Sequence, residues 1–263
     1  MPSPPKTPHA IWYDDATSLA QATRWSQQLG LPLTRDDALP EAQPLLVFHQ
    51  GRLELHLGKP RHKGGVFAEF SARKTHAIQR QEGKNGLLAR AIGLRKHPTP
   101  RVLDATAGLG QDGFLLACHG CRVQLCERST IIAALLEDGL ERGLADPETA
   151  PILKERMQLH AGDAGEFMRQ KTGSDPVDVV YLDPMFTKSN HAALAKKEMQ
   201  WLRLLVGQDE DAPHLLDTAI AHARRRVVVK RSLKAPVLGG RTPHCSIQGT
   251  TIRYDVYLPE TPT

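Results

Sequence analysis

Residues 102 to 113 constrain the fold more than any other stretch of this chain. Val102-Leu103-Asp104 reads as a buried strand end, Ala105-Thr106-Ala107-Gly108-Leu109-Gly110 as a turn of small residues, and Gln111-Asp112-Gly113 as the start of a helix. A strand that runs through a glycine turn into a helix opens a parallel sheet, because a helix must carry the chain back before the next strand can run the same way. The pattern then repeats. Arg122–Cys126, Met157–His160, Val177–Leu182 and Arg226–Lys230 read as strands, and Thr130–Arg142, Ala164–Lys171 and Asp217–His222 as the helices between or after them. The expectation is an α/β fold with a mostly parallel, doubly wound, Rossmann-like sheet. Ile252–Leu258 follows a hairpin and should add an antiparallel terminal strand.

The segments before this alternation are smaller. Ala10–Tyr13 suits a strand, Ser18–Leu29 a helix stopped by Gly30, and Leu45–His49 with Leu53–Leu57 a hairpin about Gln50-Gly51. Together they predict a small α/β N-terminal lobe over residues 1–60, with no chemistry of its own. Residues 61–100 read as a basic linker and a helix over Thr75–Leu94, ended before Pro98 and Pro100, and residues 101–263 as the main domain.

Composition excludes several classes. No apolar run reaches the ~18 residues of a membrane span. The start, Met1 to Pro8, lacks the apolar core of a signal peptide. Four cysteines, Cys118, Cys121, Cys126 and Cys245, are too few for a secreted disulfide framework, so the cytoplasm is the expected compartment. Cys118-His119-Gly120-Cys121 has metal-like spacing but no second ligand pair nearby, so no metal is expected. The net charge of +5 suits a polyanionic partner without demanding one. It gathers in local clusters such as Arg73-Lys74, Arg224-Arg225-Arg226 and Lys230-Arg231.

In an open α/β sheet, ligands sit beyond the carboxyl ends of the strands. The first strand ends at Asp104, and Gly108 and Gly110 let backbone approach a ligand closely. The helix that follows presents unpaired amides at its start, beside Gln111 and Asp112. The second strand tip carries Glu127, suited to the hydroxyls of a ribose, and the third carries Gly162-Asp163, suited to an adenine amine. Three acidic tips fit a neutral-to-cationic nucleoside such as S-adenosylmethionine better than a pyrophosphate. The alternative is a nicotinamide cofactor, because Gly108, Gly110 and Gly113 match the dinucleotide fingerprint and Glu127 follows at a suitable distance. Against it, Asp104 to Ala107 separate the strand from the first glycine and place an anion where a diphosphate would lie.

The fourth strand ends in Asp183-Pro184-Met185-Phe186, which resembles the Asp/Asn-Pro-Pro-Tyr/Phe motif of amino-methyltransferases. The Asp183 carboxylate and the Pro184 carbonyl are acceptors for the hydrogens of an exocyclic amine, and Phe186 is a stacking face for a base. Lys230-Arg231, at the carboxyl end of the next strand, is expected to contact nucleic-acid phosphates, with Arg73 and Lys74 as a further basic pair. Lys196-Lys197 reads as a solvated face.

The chain resembles the bacterial small-subunit ribosomal RNA guanine-N2 methyltransferases of the RsmJ family. The resemblance is carried by Asp104 to Gly110, Gly120-Cys121-Arg122-Val123, Ala133 to Leu140, Val180 to Phe186, Lys196-Lys197-Glu198-Met199 and Arg226 to Arg231. It implies methylation by S-adenosylmethionine of the exocyclic N2 of guanine 1516 in 16S rRNA, naked or in the small ribosomal subunit. It also implies cofactor contacts at Gln111-Asp112, Glu127-Arg128, Gly162-Asp163 and Asp183. Two departures are visible: Gln111 stands where the family often has arginine, and Ser232 where proline is usual. The rival readings are an amino-methyltransferase for DNA adenine or protein glutamine, an oxidoreductase, and a catalytically silent RNA-binding protein of this fold.

Overall fold

The computed structural model describes residues 7–35, 44–57, 65–71, 73, 86–171, 177–184 and 209–259. The first unit contains β1 (Ile11–Tyr13), α1 (Leu19–Leu29), β2 (Leu33–Thr34), β3 (Pro44–His49) and β4 (Arg52–Leu57). Its sheet order is β2-β1-β3-β4, with β1 parallel to β2 and β3, and β3–β4 an antiparallel hairpin. Gly30 closes α1 in the left-handed conformation, as its position suggested. Strand β2 had no sequence signal, since two residues are too few to show a period.

The second unit begins with α2 (Leu87–Ile92), which starts later than the helix expected over Thr75–Leu94, because Gly86 just before it has extended backbone (φ −56°, ψ 157°); residues 74–85 lie outside the described residues. Then follow β5 (Arg101–Asp104), α3 (Gln111–Cys118), β6 (Arg122–Glu127), α4 (Thr130–Ala145), α5 (Ala150–Arg156), β7 (Met157–Ala161), α6 (Ala164–Gln170), β8 (Val179–Leu182), α7 (Ala212–His222), β9 (Arg226–Ser232), β10 (Cys245–Gln248) and β11 (Ile252–Tyr257). These strands form one sheet in the order β10-β11-β9-β8-β5-β6-β7. Pairs among β5 to β9 are parallel, and β11 is antiparallel to both β9 and β10. The expected mostly parallel sheet with an antiparallel terminal strand is therefore present. The sequence reading passed over α5, which is short and begins at Ala150-Pro151.

Alternation along each strand divides the core in two. Val102, Val179, Tyr181 and Val228 pack on one face with Phe114 of α3. Leu103, Val180, Leu182, Val227 and Val229 pack on the other, against α7. Helix α4 is apolar on two sides. Ile131, Ile132, Ala134 and Leu135 join Ile11, Trp25, Phe48 and Leu55 of the lobe in a third cluster, so the lobe and the larger sheet share this helix. Between them, residues 65–71 lie against α4 so closely that a Cβ on Gly139 would stand 2.6 Å from the Ala68 Cβ. Arg142 fixes the same segment, donating to Glu69 and to Asp138 one turn back. Among the described residues, no helix is long and apolar enough to cross a membrane.

Candidate active site

The carboxyl ends of β5, β6 and β8 and the residues just after β7 meet at one pocket, lined by Gly108, Glu127, Arg128, Asp163, Asp183 and Pro184 among others. Its floor is the turn after β5. Gly108 and Gly110 both adopt left-handed backbone, φ 54° and 72°, and Gly110 caps α3. A side chain at Gly110 would also strike Leu136 at 2.7 Å.

Glu127 braces this turn. Its two carboxylate oxygens accept from the Gly108 amide and the Ser129 amide, each at 2.8 Å. The side chain is buried. Burial pushes its carboxyl above the ordinary value, and the two amides pull against that shift. Arg128 turns its guanidinium to Asp211 at 2.8 and 3.0 Å and to Asp209, closing the pocket rim with the residues that lead into α7. Asp163 caps α6, accepting from the Glu166 amide at 2.9 Å, with Gly162 beside it donating to the Glu127 carbonyl.

Asp104 lies beneath the turn rather than in the pocket lining. It is almost wholly buried, and one oxygen accepts from the Thr106 amide at 3.3 Å. Burial, then the charge of Asp112, pushes its carboxyl well above the ordinary range. Gln111 is exposed at the first position of α3.

Asp183 stands at the tip of β8. Its amide donates to the Thr106 hydroxyl at 2.6 Å, and its Oδ2 accepts from Lys230 Nζ at 2.9 Å. The same ammonium donates to Asp112 Oδ2 at 2.8 Å, and that oxygen also accepts from the Tyr181 hydroxyl at 2.6 Å. Lys230 is thus bound to two carboxylates of the site, where the sequence suggested a phosphate contact. Arg231 corrects the sequence reading outright. As the next residue on a strand it points to the opposite face, where it is buried and donates to the Pro236 carbonyl at 2.7 and 3.2 Å. A phosphate on the surface is out of reach from there. Arg73 is exposed; Lys74, Met185, Phe186 and Lys196-Lys197 lie outside the described residues.

Sequence reasoning missed Tyr181, Thr106, Asp209 and Asp211. Tyr181 was accessible in principle, because two positions before Asp183 on a strand is the same face. Thr106, Asp209 and Asp211 carry no such signal, since their partners come from distant parts of the chain. Cys121 is buried, with burial pushing its thiol up to about 12, and among the described residues no group of three or more His, Cys, Asp or Glu is placed to hold a metal ion.

The donor set suits S-adenosylmethionine. Left-handed glycines admit its close approach, carboxylates await hydroxyl and amine hydrogens, and the anionic surroundings favour a sulfonium over a diphosphate. Residues 24–259 match the family described as "Putative SAM-dependent methyltransferase". The Ribosomal RNA small subunit methyltransferase J of Pseudomonas paraeruginosa is 50% identical over 240 residues, covering 90% of each chain. That of Nitrosococcus oceani is 46% identical over 253 residues, covering 94% of this chain and 97% of its own. The crystal structure of a SAM-dependent methyltransferase from Neisseria gonorrhoeae superposes with a TM-score of 0.74 at 34% identity, covering 97% of both chains. With its sheet, its glycine turn and its ring of strand-tip carboxylates, this chain belongs to the ribosomal RNA small subunit methyltransferase J family of S-adenosylmethionine-dependent enzymes.

Proposed function

We propose that the enzyme methylates the exocyclic N2 of a guanine in 16S rRNA, the guanine at position 1516 in this family. One observation carries the reading: Asp183 and Pro184 line the same pocket as Glu127 and Asp163, so an amine held at the β8 tip lies beside the cofactor. The relatives' name supports small-subunit rRNA as the substrate, met in the cytoplasm.

The lone pair of a guanine amine is delocalised into the ring. The Asp183 carboxylate and the Pro184 carbonyl accept its two hydrogens and favour a geometry in which that lone pair is available. Phe186 stacks on the base, which must leave its own stack to enter. Bound S-adenosylmethionine supplies an electrophilic methyl: the N–C bond forms as the C–S bond breaks, and sulfur keeps the electron pair. The nitrogen then sheds one proton to an acceptor or water, so the work of the protein is positioning and not strong base catalysis. Glu127 holds the ribose hydroxyls, Asp163 the adenine amine, and Asp112 the methionine end. Exposed Arg73, with Lys74, contacts phosphate.

The test is transfer of labelled methyl to 16S rRNA, small subunits and DNA in parallel, followed by nucleoside analysis. N2-methylguanosine from RNA or subunits is expected; label in DNA adenine, or no transfer at all, overturns the reading. Asp183→Ala should slow single-turnover transfer at least tenfold, since one hydrogen bond to a charged group is worth about 1.5–3 kcal/mol.

A further inference from the structure

We propose that Lys230 is a positioning residue of the transfer site, clamping the Asp112 and Asp183 carboxylates in one arrangement, and is not a contact to the RNA. The proposal rests on the amine-transfer reading above. Strands β8 and β9 pair in parallel with Leu182 opposite Val229, so the next step along the register sets Asp183 across from Lys230. Both lie on the face that carries Tyr181 and Val228, toward the first turn of α3 where Asp112 sits. One ammonium thereby ties three elements together: β9 supplies it, α3 supplies Asp112 at 2.8 Å, and the tip of β8 supplies Asp183 at 2.9 Å. The Tyr181 hydroxyl closes the set from β8 at 2.6 Å.

Charge gives the clamp its purpose. Asp104 of β5, Asp112 of α3, Glu127 of β6 and Asp183 after β8 crowd one end of the sheet, close enough that the other three all disfavour ionisation of Asp104. Like charges so placed repel one another. Lys230 is bonded to two of the four. Burial alone would weaken its ammonium, but the charges of Asp183 and Asp112 outweigh that and hold it protonated far into the alkaline range. Among the described residues, the other charged or titratable groups that act on these carboxylates include Tyr181 on Asp112 and Asp183, Arg231 on Asp183, Arg128 and Asp209 on Glu127, and Cys126 beside Asp104 and Glu127, while Tyr254 pairs with Lys230 from β11. With Oδ2 of Asp183 fixed by Lys230, the rotation of that carboxylate is set, and with it the direction in which Oδ1 faces. An oriented and ionised acceptor is what an amine substrate needs, and Asp112 gains the same benefit at the methionine end of the cofactor.

The variants are Lys230→Met, which removes the charge, Lys230→Arg, which keeps it, and Lys230→Gln, which serves if the methionine variant fails to fold. Each is read by single-turnover methylation of small subunits across pH, calorimetry with S-adenosylhomocysteine across pH, and RNA affinity across salt. Losing a cation within hydrogen-bonding distance of a carboxylate favours the protonated form. With the Asp183 carboxylate no longer held in place, the neutral variants should transfer methyl at least tenfold more slowly near neutrality, and the acid limb of the rate profile should move up. Lys230→Arg should keep the limb in place. RNA affinity and its salt slope should stay within about twofold of wild type, as a phosphate contact would not allow. A slow neutral variant whose acid limb has not moved overturns the clamp, as does a normal rate at saturating RNA with a reduced salt slope. If the wild type methylates no RNA, the amine-transfer reading falls by itself. Calorimetry then decides Lys230, because product affinity unchanged in the neutral variants at every pH overturns the clamp as well.

Discussion

Replacing Glu127 by glutamine separates the cofactor-holding role proposed for this side chain from its structural one. In the wild type both oxygens are occupied by backbone donors, Gly108 and Ser129, at 2.8 Å. An amide has one oxygen. Whichever way the glutamine turns, one of these amides keeps an acceptor and the other meets an NH2 group, losing a hydrogen bond to a charged partner worth about 1.5–3 kcal/mol. Working against that loss, the carboxylate is buried and its proton affinity is raised by burial, so a neutral side chain relieves a desolvation cost of the same order. The two nearly offset, and folding stability should change by less than about 1.5 kcal/mol. Binding has no such offset. If Glu127 holds the ribose, hydroxyls that would donate to an ionised acceptor meet instead a neutral amide already committed to the backbone, and another ~1.5–3 kcal/mol is lost, or about 10- to 150-fold in affinity. Calorimetry with S-adenosylhomocysteine and urea unfolding of the same preparations measure the two quantities. Product affinity within about twofold of wild type would refute the assignment of Glu127 to the ribose. Loss of affinity matched by an equal loss of stability would show that it only supports the turn.

Asp104→Asn should raise thermal stability at neutral and alkaline pH. Burial, then Asp112, pushes the folded-state carboxyl of Asp104 up, so the folded chain holds that proton more tightly than the unfolded chain. The contribution of Asp104 is therefore most favourable below the ordinary carboxylate value of about 4 and is lost as pH rises through the elevated one. Melting curves over that window should slope less in the variant, and parallel slopes would count against the raised carboxyl. Gly139→Ala should destabilise: the new methyl meets the Ala68 Cβ at 2.6 Å and the Ala68 carbonyl oxygen at 3.0 Å. Overpacking costs about 1–3 kcal/mol and exceeds the gain in helix propensity of at most about 1 kcal/mol, so the urea midpoint should fall. Arg73→Glu should weaken RNA binding and flatten its salt dependence while S-adenosylhomocysteine binds as before; an unchanged salt slope would remove Arg73 from the RNA surface.

Local chemistry made much of this protein legible in its sequence. The β5–turn–α3 unit follows from a strand of apolar residues, two glycines and a helix start, each readable within a dozen residues. The placing of Glu127, Asp163 and Asp183 at strand ends follows from where apolar runs stop, and the sheet rule then brings those ends to one side. Parallel pairing follows from the helices between the strands. What the one-dimensional pattern could not carry is which side chains meet. Lys230 and Arg231 are adjacent and alike in charge, yet alternation sends one into the site and the other into the opposite layer, where it is held at the Pro236 carbonyl. Asp183 and Thr106 come from different turns, as do Arg128 and Asp211, and neither pair leaves a trace in spacing. The sharing of α4 between the lobe and the main sheet was equally hidden, because a helix apolar on two sides announces burial without naming its neighbours. Period, turn chemistry and charge are properties of neighbouring residues, so the sequence by itself determined the elements, their order and the acidic strand tips. The ion pairs and close contacts join residues far apart along the chain, so only the tertiary structure decided which carboxylates are braced, which cation is bound and which face each side chain serves.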